Sequence, residues 1–201
     1  MSDELQKLKS ELRDRDRKIK ELESLVFTDP LTGLYNRRGF LALAKKLYSD
    51  VSWMKSNKNS PRTHFYVDSF TILFFDIDNF KSINDKYGHE IGDQILKFSA
   101  QIIESKVRAS DFVGRWGGEE MVAALIGASE KDGFLKAEEI RKAIKSRVHI
   151  PKDLSRKITM SVGVAELTGK SSLENLVKAA DEAMYKAKTT GKDKTVKYSQ
   201  I

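Results

Sequence analysis

The sequence predicts an α+β domain with a ferredoxin-like core, carried behind a separate N-terminal helix. Three observations predict it. Apolar residues near the N-terminus recur at alternating steps of three and four. A β-branched and aromatic run, Phe70-Thr-Ile-Leu-Phe-Phe, ends in Asp76. From there to the C-terminus, helical patterns alternate with short strand patterns, as two strand–helix–strand units sharing one mostly antiparallel sheet would require. A sheet covered by helices on one side would leave its other layer, or its strand ends, for a site.

The N-terminal segment is residues 1–26. Leu5, Leu8, Leu12, Arg15, Ile19, Leu22 and Val26 follow the a/d spacing of a coiled coil, and only Arg15 breaks the apolar seam. Fewer than four heptads are marginal in isolation. The segment therefore reads as the tail of a longer signalling helix or as a handle for homodimerisation; a helix packed on its own domain is the alternative. Its seven Lys/Arg and seven Asp/Glu cancel, so the net charge of +7 belongs wholly to residues 27–201. Such an excess suits an anionic partner, or serves solubility alone. Nucleic acid is disfavoured, because no basic strand is interleaved with aromatics and no recognition-helix motif is present.

Other classes fall to composition. There is no cysteine, hence no disulfide, thiolate metal site or cysteine nucleophile. His64, His89 and His149 are too widely spaced for a zinc motif. No apolar run approaches the roughly 18 residues of a membrane span, and the N-terminus has no secretory h-region. The expectation is a cytoplasmic chain without membrane insertion.

The second segment, residues 27–201, opens with turn chemistry at Thr28-Asp-Pro-Leu-Thr-Gly33. A helix is expected from Arg37 to about Lys55, and an exposed polar loop over 56–64. The Phe70–Asp76 run reads as a buried strand. A helix over 90–107 follows, with Ile91, Ile95, Leu96, Phe98, Ile102 and Ile103 as its buried stripe. Strands Phe112–Arg115 and Met121–Ile126 flank Trp116-Gly117-Gly118-Glu119-Glu120, a hairpin by its paired glycines. A charged helix (129–147), a strand (Ile158–Val164), a helix (Ser171–Lys188) and a last strand near Thr195–Tyr198 complete the order. Ser171-Ser-Leu-Glu reads as a capping box and Gly191 as a helix stop.

The chemistry-bearing residues gather between 76 and 120. Asp76 at a strand end, with Glu119 and Glu120 on a glycine hairpin, forms a hard oxygen site suited to Mg²⁺. The bland alternative is that these acids only solvate sheet edges. Gly117 and Gly118 carry no Cβ and allow a ligand close to the backbone. Lys81 can neutralise phosphate, and Asn84 with Asp93 offers the acceptors and donor that a guanine edge needs.

At this point the order of motifs carries a resemblance. Asp76-x-Asp-x-Phe-Lys81-x-x-Asn84-Asp-x-x-Gly-His89-x-x-Gly-Asp93 and Arg115-Trp-Gly117-Gly118-Glu119-Glu120-Met121 resemble the GGDEF family of diguanylate cyclases. So do Asp29-Pro-Leu-Thr-Gly-Leu-Tyr-Asn-Arg37-Arg38, Ser161-Val-Gly163-Val and Ala180-Asp-Glu-Ala-Met-Tyr-Lys-Ala-Lys188-x-x-Gly191-Lys192. The likeness runs from about residue 27 to 198.

The resemblance implies a nucleotidyltransferase condensing two GTP into cyclic di-GMP, with release of two pyrophosphates. It implies Mg²⁺, or Mn²⁺, held by Asp76, Glu119 and the Ile77 carbonyl, and a Glu119 that also activates the attacking ribose 3′-hydroxyl. Lys81 would stabilise phosphate charge, while Asn84, Asp93 and the nearby His89 would hold guanine. Lys188 and Lys192 would bind the β- and γ-phosphates; the family often has Arg where Lys192 stands. Each domain would hold one GTP, so the active species would be a dimer, with the heptads raising the local concentration of its halves. Arg108 and Asp111 match the family's inhibitory product site, whose second arginine stays unassigned. Met121 replaces the usual Phe, apolar for apolar. The rival readings are a catalytically inactive cyclic di-GMP receptor of the same fold and a relaxed cyclase; Asp93 argues against the latter. Any upstream sensor domain would lie outside this chain.

Overall fold

The computed structural model describes residues 2–56, 69–150, 153–168 and 171–201; of the loop expected at 56–64, Ser56 instead ends a helix and the rest lies outside them. The elements are α1 (Ser2–Phe27), β1 (Tyr35–Asn36), α2 (Arg37–Ser56), β2 (Phe70–Ile77), α3 (Phe80–Tyr87), α4 (His89–Lys106), β3 (Phe112–Arg115), β4 (Glu120–Ile126), α5 (Glu130–Arg147), β5 (His149–Ile150), β6 (Asp153–Lys157), β7 (Met160–Glu166), α6 (Leu173–Thr189) and β8 (Lys194–Lys197). A 3₁₀ turn at Tyr198–Gln200 follows.

β2 organises the rest. It is buried along its whole length because it has strands on both edges and helices on both faces. With a period of two, Phe70, Ile72 and Phe74 face a core layer with Phe40 of α2 and Leu176 and Met184 of α6. Leu73, Phe75 and Ile77 face the opposite layer, with Ile95 of α4 and Ile140 of α5. The expectation of helices on one side is thereby corrected: both faces are covered, and only strand ends remain for a site.

The main sheet has the order β1-β3-β4-β2-β7-β8. Its inner four strands are antiparallel and, with α3/α4 and α5 as crossovers, make the expected ferredoxin-like core. β1 and β8 add parallel edges. β5 and β6 form a small separate hairpin. β1, β5, β6 and α3 are additions to the predicted order, being too short for periodicity to show. The strand expected at 158–164 is displaced by two residues, to Met160–Glu166.

Helix starts are set locally. The cap of α6 lies one residue later than expected: the Ser172 hydroxyl, not that of Ser171, accepts from the Asn175 N–H. α5 has a complete capping box, Ser129 with Asp132. In its middle α6 lies so close to β7 that a Cβ on Gly163 would overlap the Ala180 carbonyl oxygen and the Met184 amide nitrogen. Gly163→Ala is therefore expected to cost about 3 kcal/mol, a fall of roughly 6–12 °C in Tm. Thermal unfolding followed by circular dichroism checks it, and an unchanged Tm would contradict the packing.

α1 leaves its seam uncovered. Leu5, Leu8 and Leu12 are 54%, 58% and 60% exposed, so the helix does not spend them on its own domain. The side chains of Ile19 and Leu22 lie outside the described ones. The joint to the domain is built on backbone. Asn36 Nδ2 donates to the carbonyls of Val26 (2.8 Å) and Thr28 (3.2 Å), while its Oδ1 accepts the Gly39 N–H at 2.9 Å and so caps α2. Gly39 has no Cβ to strike the Phe27 carbonyl. The turn after α1 closes as its sequence foretold: the Asp29 carboxylate accepts from the Thr32 N–H (2.9 Å) and hydroxyl (2.7 Å), and Gly33 takes a φ of 76°.

Candidate active site

The site lies where β2 ends, beside the β3–β4 hairpin and the C-terminal end of α6. Asp76 shares the strand face of Phe74 and Ile72, so its side chain emerges toward α6, and Lys188 Nζ donates to Oδ2 at 2.7 Å. The carboxylate is 2% exposed, and its other oxygen, Oδ1, has no hydrogen-bond partner. Burial pushes Asp76 up to about 6; the Lys188 hydrogen bond and charge pull the other way and lose, while Glu119 and Glu120 add to the rise. Burial alone would lower Lys188, but its bond to Asp76 outweighs this and holds the ammonium above its ordinary value.

The neighbouring strand supplies further acids. Glu120 stands directly opposite Asp76 in the β2–β4 register and shares its face. Burial, then Asp181, raises Glu120, and burial also raises Asp181, which sits on α6 one seven-residue step before Lys188. Glu119 occupies the hairpin tip, and its carbonyl accepts a long bond (3.4 Å) from the Ile77 N–H. Asp76, Glu119, Glu120 and Asp181 thus surround one lysine, an excess of negative charge.

The hairpin is braced from outside. Arg115 donates through Nη2 to the Gly118 carbonyl (2.8 Å) and through Nε to those of Gly117 and Gly118 (both 3.2 Å). Its Nη1 reaches both oxygens of Asp29 at 3.1 Å. Burial would raise Asp29, but the bonds from Thr32 and the charge of Arg115 leave it below its ordinary value. Gly117 and Gly118 both have φ outside the left-handed region, and a Cβ on Gly118 would meet nothing within 4 Å. The space at Gly118 suits the expected close approach of a ligand.

The second acid of the Asp-x-Asp pair does different work. Asp78 is 3% exposed and fully engaged, accepting from the hydroxyls of Ser161 and Thr159 (both 2.7 Å) and the Asp193 N–H (3.0 Å). One acid of the pair holds the scaffold; the other keeps a free oxygen.

The unpartnered Asp76 oxygen beside other carboxylates fits a divalent cation. Among the described residues no three His, Asp or Glu side chains form a metal-holding group, so such an ion would take one or two carboxylates and fill its remaining positions with phosphate and water.

The other expected residues flank this centre. Lys81 is exposed on the first turn of α3. Asn84, on the same helix, has a buried Oδ1 without a partner, lying where a Cβ on Gly92 would be. His89 and Asp93 are exposed on the first turns of α4. Lys192, in the turn after α6, donates to Asn79 Oδ1 at 2.5 Å. Arg108 and Asp111 are elsewhere, at the far end of β3, about 13 Å of strand from the hairpin. There Asp111 closes the turn, accepting from the N–H groups of Arg108 and Ile126 (both 3.0 Å), while the Arg108 side chain stays exposed. A cavity of about 630 Å³ adjoins them, lined also by Tyr35, Leu43 and Leu47.

Asp181, Arg115 and Asp78 acquire their roles only here, whereas Glu120 stands beside Asp76 as its place on the glycine hairpin led one to expect. The seven-residue step on α6 was the available signal for Asp181.

A ferredoxin-like sheet that presents acids from adjacent strand ends beside lysines defines the nucleotidyl-cyclase class of fold and site. The family model described as "Diguanylate cyclase, GGDEF domain" matches residues 26–194. The chain belongs to that family. It is 35% identical over 176 residues to diguanylate cyclase DgcP of Pseudomonas aeruginosa, covering 88% of this chain and 24% of that protein. It is 34% identical over 187 residues to diguanylate cyclase DgcM of Escherichia coli K12, covering 92% and 42%. It thus spans less than half the length of these relatives. Among solved structures, the coiled coil and GGDEF domain of DgcB from Caulobacter crescentus, in complex with c-di-GMP, superposes with a TM-score of 0.81 at 25% identity, covering 96% of each chain. The active GGEEF domain of a diguanylate cyclase from Vibrio cholerae gives 0.71 at 29% identity, covering 82% of this chain and 97% of that one.

Proposed function

We propose that this chain is a diguanylate cyclase, condensing two GTP into cyclic di-GMP with release of two pyrophosphates. The observation that carries this reading is the buried Asp76 with one oxygen unpartnered, set against Glu119, Glu120 and Lys188. An abandoned site would not keep so costly an arrangement.

Asp76, Glu119 and the Ile77 carbonyl would hold Mg²⁺, or Mn²⁺. Bound there, the ion would supply Lewis-acid stabilisation of charge on the phosphates. The chain's own groups do the rest. Glu119 takes the proton of the attacking 3′-hydroxyl, whose oxygen bonds to the α-phosphorus as the bond to pyrophosphate breaks. Lys81, Lys188 and Lys192 neutralise the phosphates, and Gly117 and Gly118 admit them close to the backbone. Asn84, Asp93 and His89 hold guanine. The unpartnered Asn84 Oδ1 supports that role, since a buried acceptor costs free energy until a donor reaches it.

Each domain holds one GTP, so cyclisation needs two domains face to face. The uncovered seam of α1 supports a homodimer joined through residues 1–26, with residues 27–201 as the catalytic part. Arg108, with its exposed side chain on the turn that Asp111 closes, is the proposed contact for inhibitory product. GTP places the work in the cytoplasm, under whatever sensor acts through α1; among the described residues no helix is long and apolar enough to cross a membrane.

The test is product analysis by chromatography and mass, with GTP and Mg²⁺. Wild type is expected to make cyclic di-GMP, and Glu119→Gln to make at least about 10²-fold less. No product from wild type at any protein concentration, with cyclic di-GMP still bound, would make the chain a receptor instead.

A further inference from the structure

Among the described residues, three that are not glycine have positive φ: Asn79 (58°), Lys192 (60°) and Asp193 (45°). All three meet at one place. Lys192 Nζ donates to Asn79 Oδ1, and the Asp193 N–H donates to Asp78 Oδ2. Left-handed backbone is unfavourable for residues with a Cβ, and two in succession persist only when the surroundings impose them. Here the surroundings are identifiable. The Lys192 N–H donates to the Ala187 carbonyl at 3.0 Å, closing the end of α6. The Asp193 carboxylate is clamped by two cations of α5, Arg141 through Nη1 and Lys145 through Nζ at 2.5 Å. Arg141 is itself held by both oxygens of Glu138 (2.7 and 2.8 Å), and Glu138 also accepts from the Thr195 hydroxyl at 2.7 Å. That network is tight enough to hold the Glu138 carboxyl at about 2, chiefly through its bond from Arg141.

We propose that Asp193, clamped by Arg141 and Lys145 of α5 and anchored to Asp78 at the end of β2, is the positioning residue that aims Lys192 at the β- and γ-phosphates of the substrate. The chain of contacts runs from α5 through Asp193 to the strand that carries Asp76, so the phosphate-binding ammonium and the buried carboxylate are referred to one rigid frame. Lys192 uses one of its three donors on Asn79 and keeps two for phosphate oxygens. Asp193 itself touches no substrate; it converts a strained turn into a fixed one. The inference rests on the proposed binding of GTP at this site.

The experiment measures equilibrium binding of 3′-deoxy-GTP, which lacks the attacking hydroxyl and cannot cyclise, and of 3′-deoxy-GMP, which lacks the β- and γ-phosphates. Asp193→Ala is expected to weaken 3′-deoxy-GTP about tenfold, the worth of one charged hydrogen bond, and to leave 3′-deoxy-GMP unchanged. Asp193→Asn, which keeps an acceptor for Arg141, is expected to recover most of the loss. A general structural role would weaken both nucleotides alike, and that result, or an unchanged ratio, overturns the proposal. Should Asp193→Ala fail to fold, Arg141→Gln is read in the same way, with the same expected fall in the ratio. If wild type does not prefer the triphosphate, the reading of the site as a GTP site fails first and takes this inference with it.

Discussion

Asp76→Asn is expected to reduce cyclic di-GMP formation by at least about 10³-fold while making the ligand-free protein more stable at neutral pH. Both effects have one cause. The folded chain keeps a proton on Asp76 up to about pH 6, because burial outweighs its ion pair with Lys188. The unfolded chain releases that proton near the ordinary aspartate value of 3.8. A carboxyl raised by folding contributes stability that is full below the unfolded value and is lost as pH rises through the folded one. The asparagine variant has no such loss. Its advantage over wild type should therefore grow between pH 4 and pH 7, toward an upper bound of about 3 kcal/mol. Urea unfolding at pH 4.5 and pH 7.5 with chelator present checks this. A variant no more stable at pH 7.5 than at pH 4.5, relative to wild type, would mean that the Lys188 pair outweighs burial.

Substituting Leu5, Leu8 and Leu12 together with Glu is expected to move the concentration dependence of activity rather than activity itself. These residues are more than half exposed, so the domain should fold unchanged. What they would lose is the dimer contact. Without it each active half must find the other by free diffusion, and the protein concentration for half-maximal specific activity should rise by about 10²–10⁴-fold. Specific activity measured from nanomolar to high micromolar enzyme, with analytical ultracentrifugation alongside, reads both quantities. Equal activity at nanomolar protein would remove α1 from the assembly of the active species.

The elements readable in the sequence were those with long, repeated patterns. β2 announced itself by an unbroken run of β-forming apolar residues, and α4 by an apolar stripe sustained over several turns, of which Phe98 proves to be exposed. What periodicity could not reveal was anything two residues long, such as β1, or a helix entered from a left-handed Asn79, such as α3. The second helical layer was missed for a related reason. A strand buried on both faces and one buried beneath a single layer differ only in whether alternate positions are polar, and β2 has no polar position before Asp76 except Thr71. In the site, motif order singled out Asp76, Glu119 and Lys188, which the fold does bring together. It gave Asp78 no role, because the partners that satisfy Asp78, Ser161 and Thr159 and the backbone of Asp193, lie far along the chain. Nor could it tell that Arg141 of α5 serves Asp193.

The joint at Asn36 has a consequence for how such a domain acquires inputs. Asn36 grips the carbonyls of Val26 and Thr28, and Gly39 makes room for the carbonyl of Phe27. Every helix has carbonyls there, whatever its side chains. Apart from Phe27, whose ring lies under the Arg38 guanidinium, the socket is therefore indifferent to the spelling of the helix plugged into it, and recombination could exchange one driver for another without redesigning the domain. Only the phase at which the helix enters is inherited by the domain, which makes rotational register, rather than sequence, the currency of exchange between an input and this output.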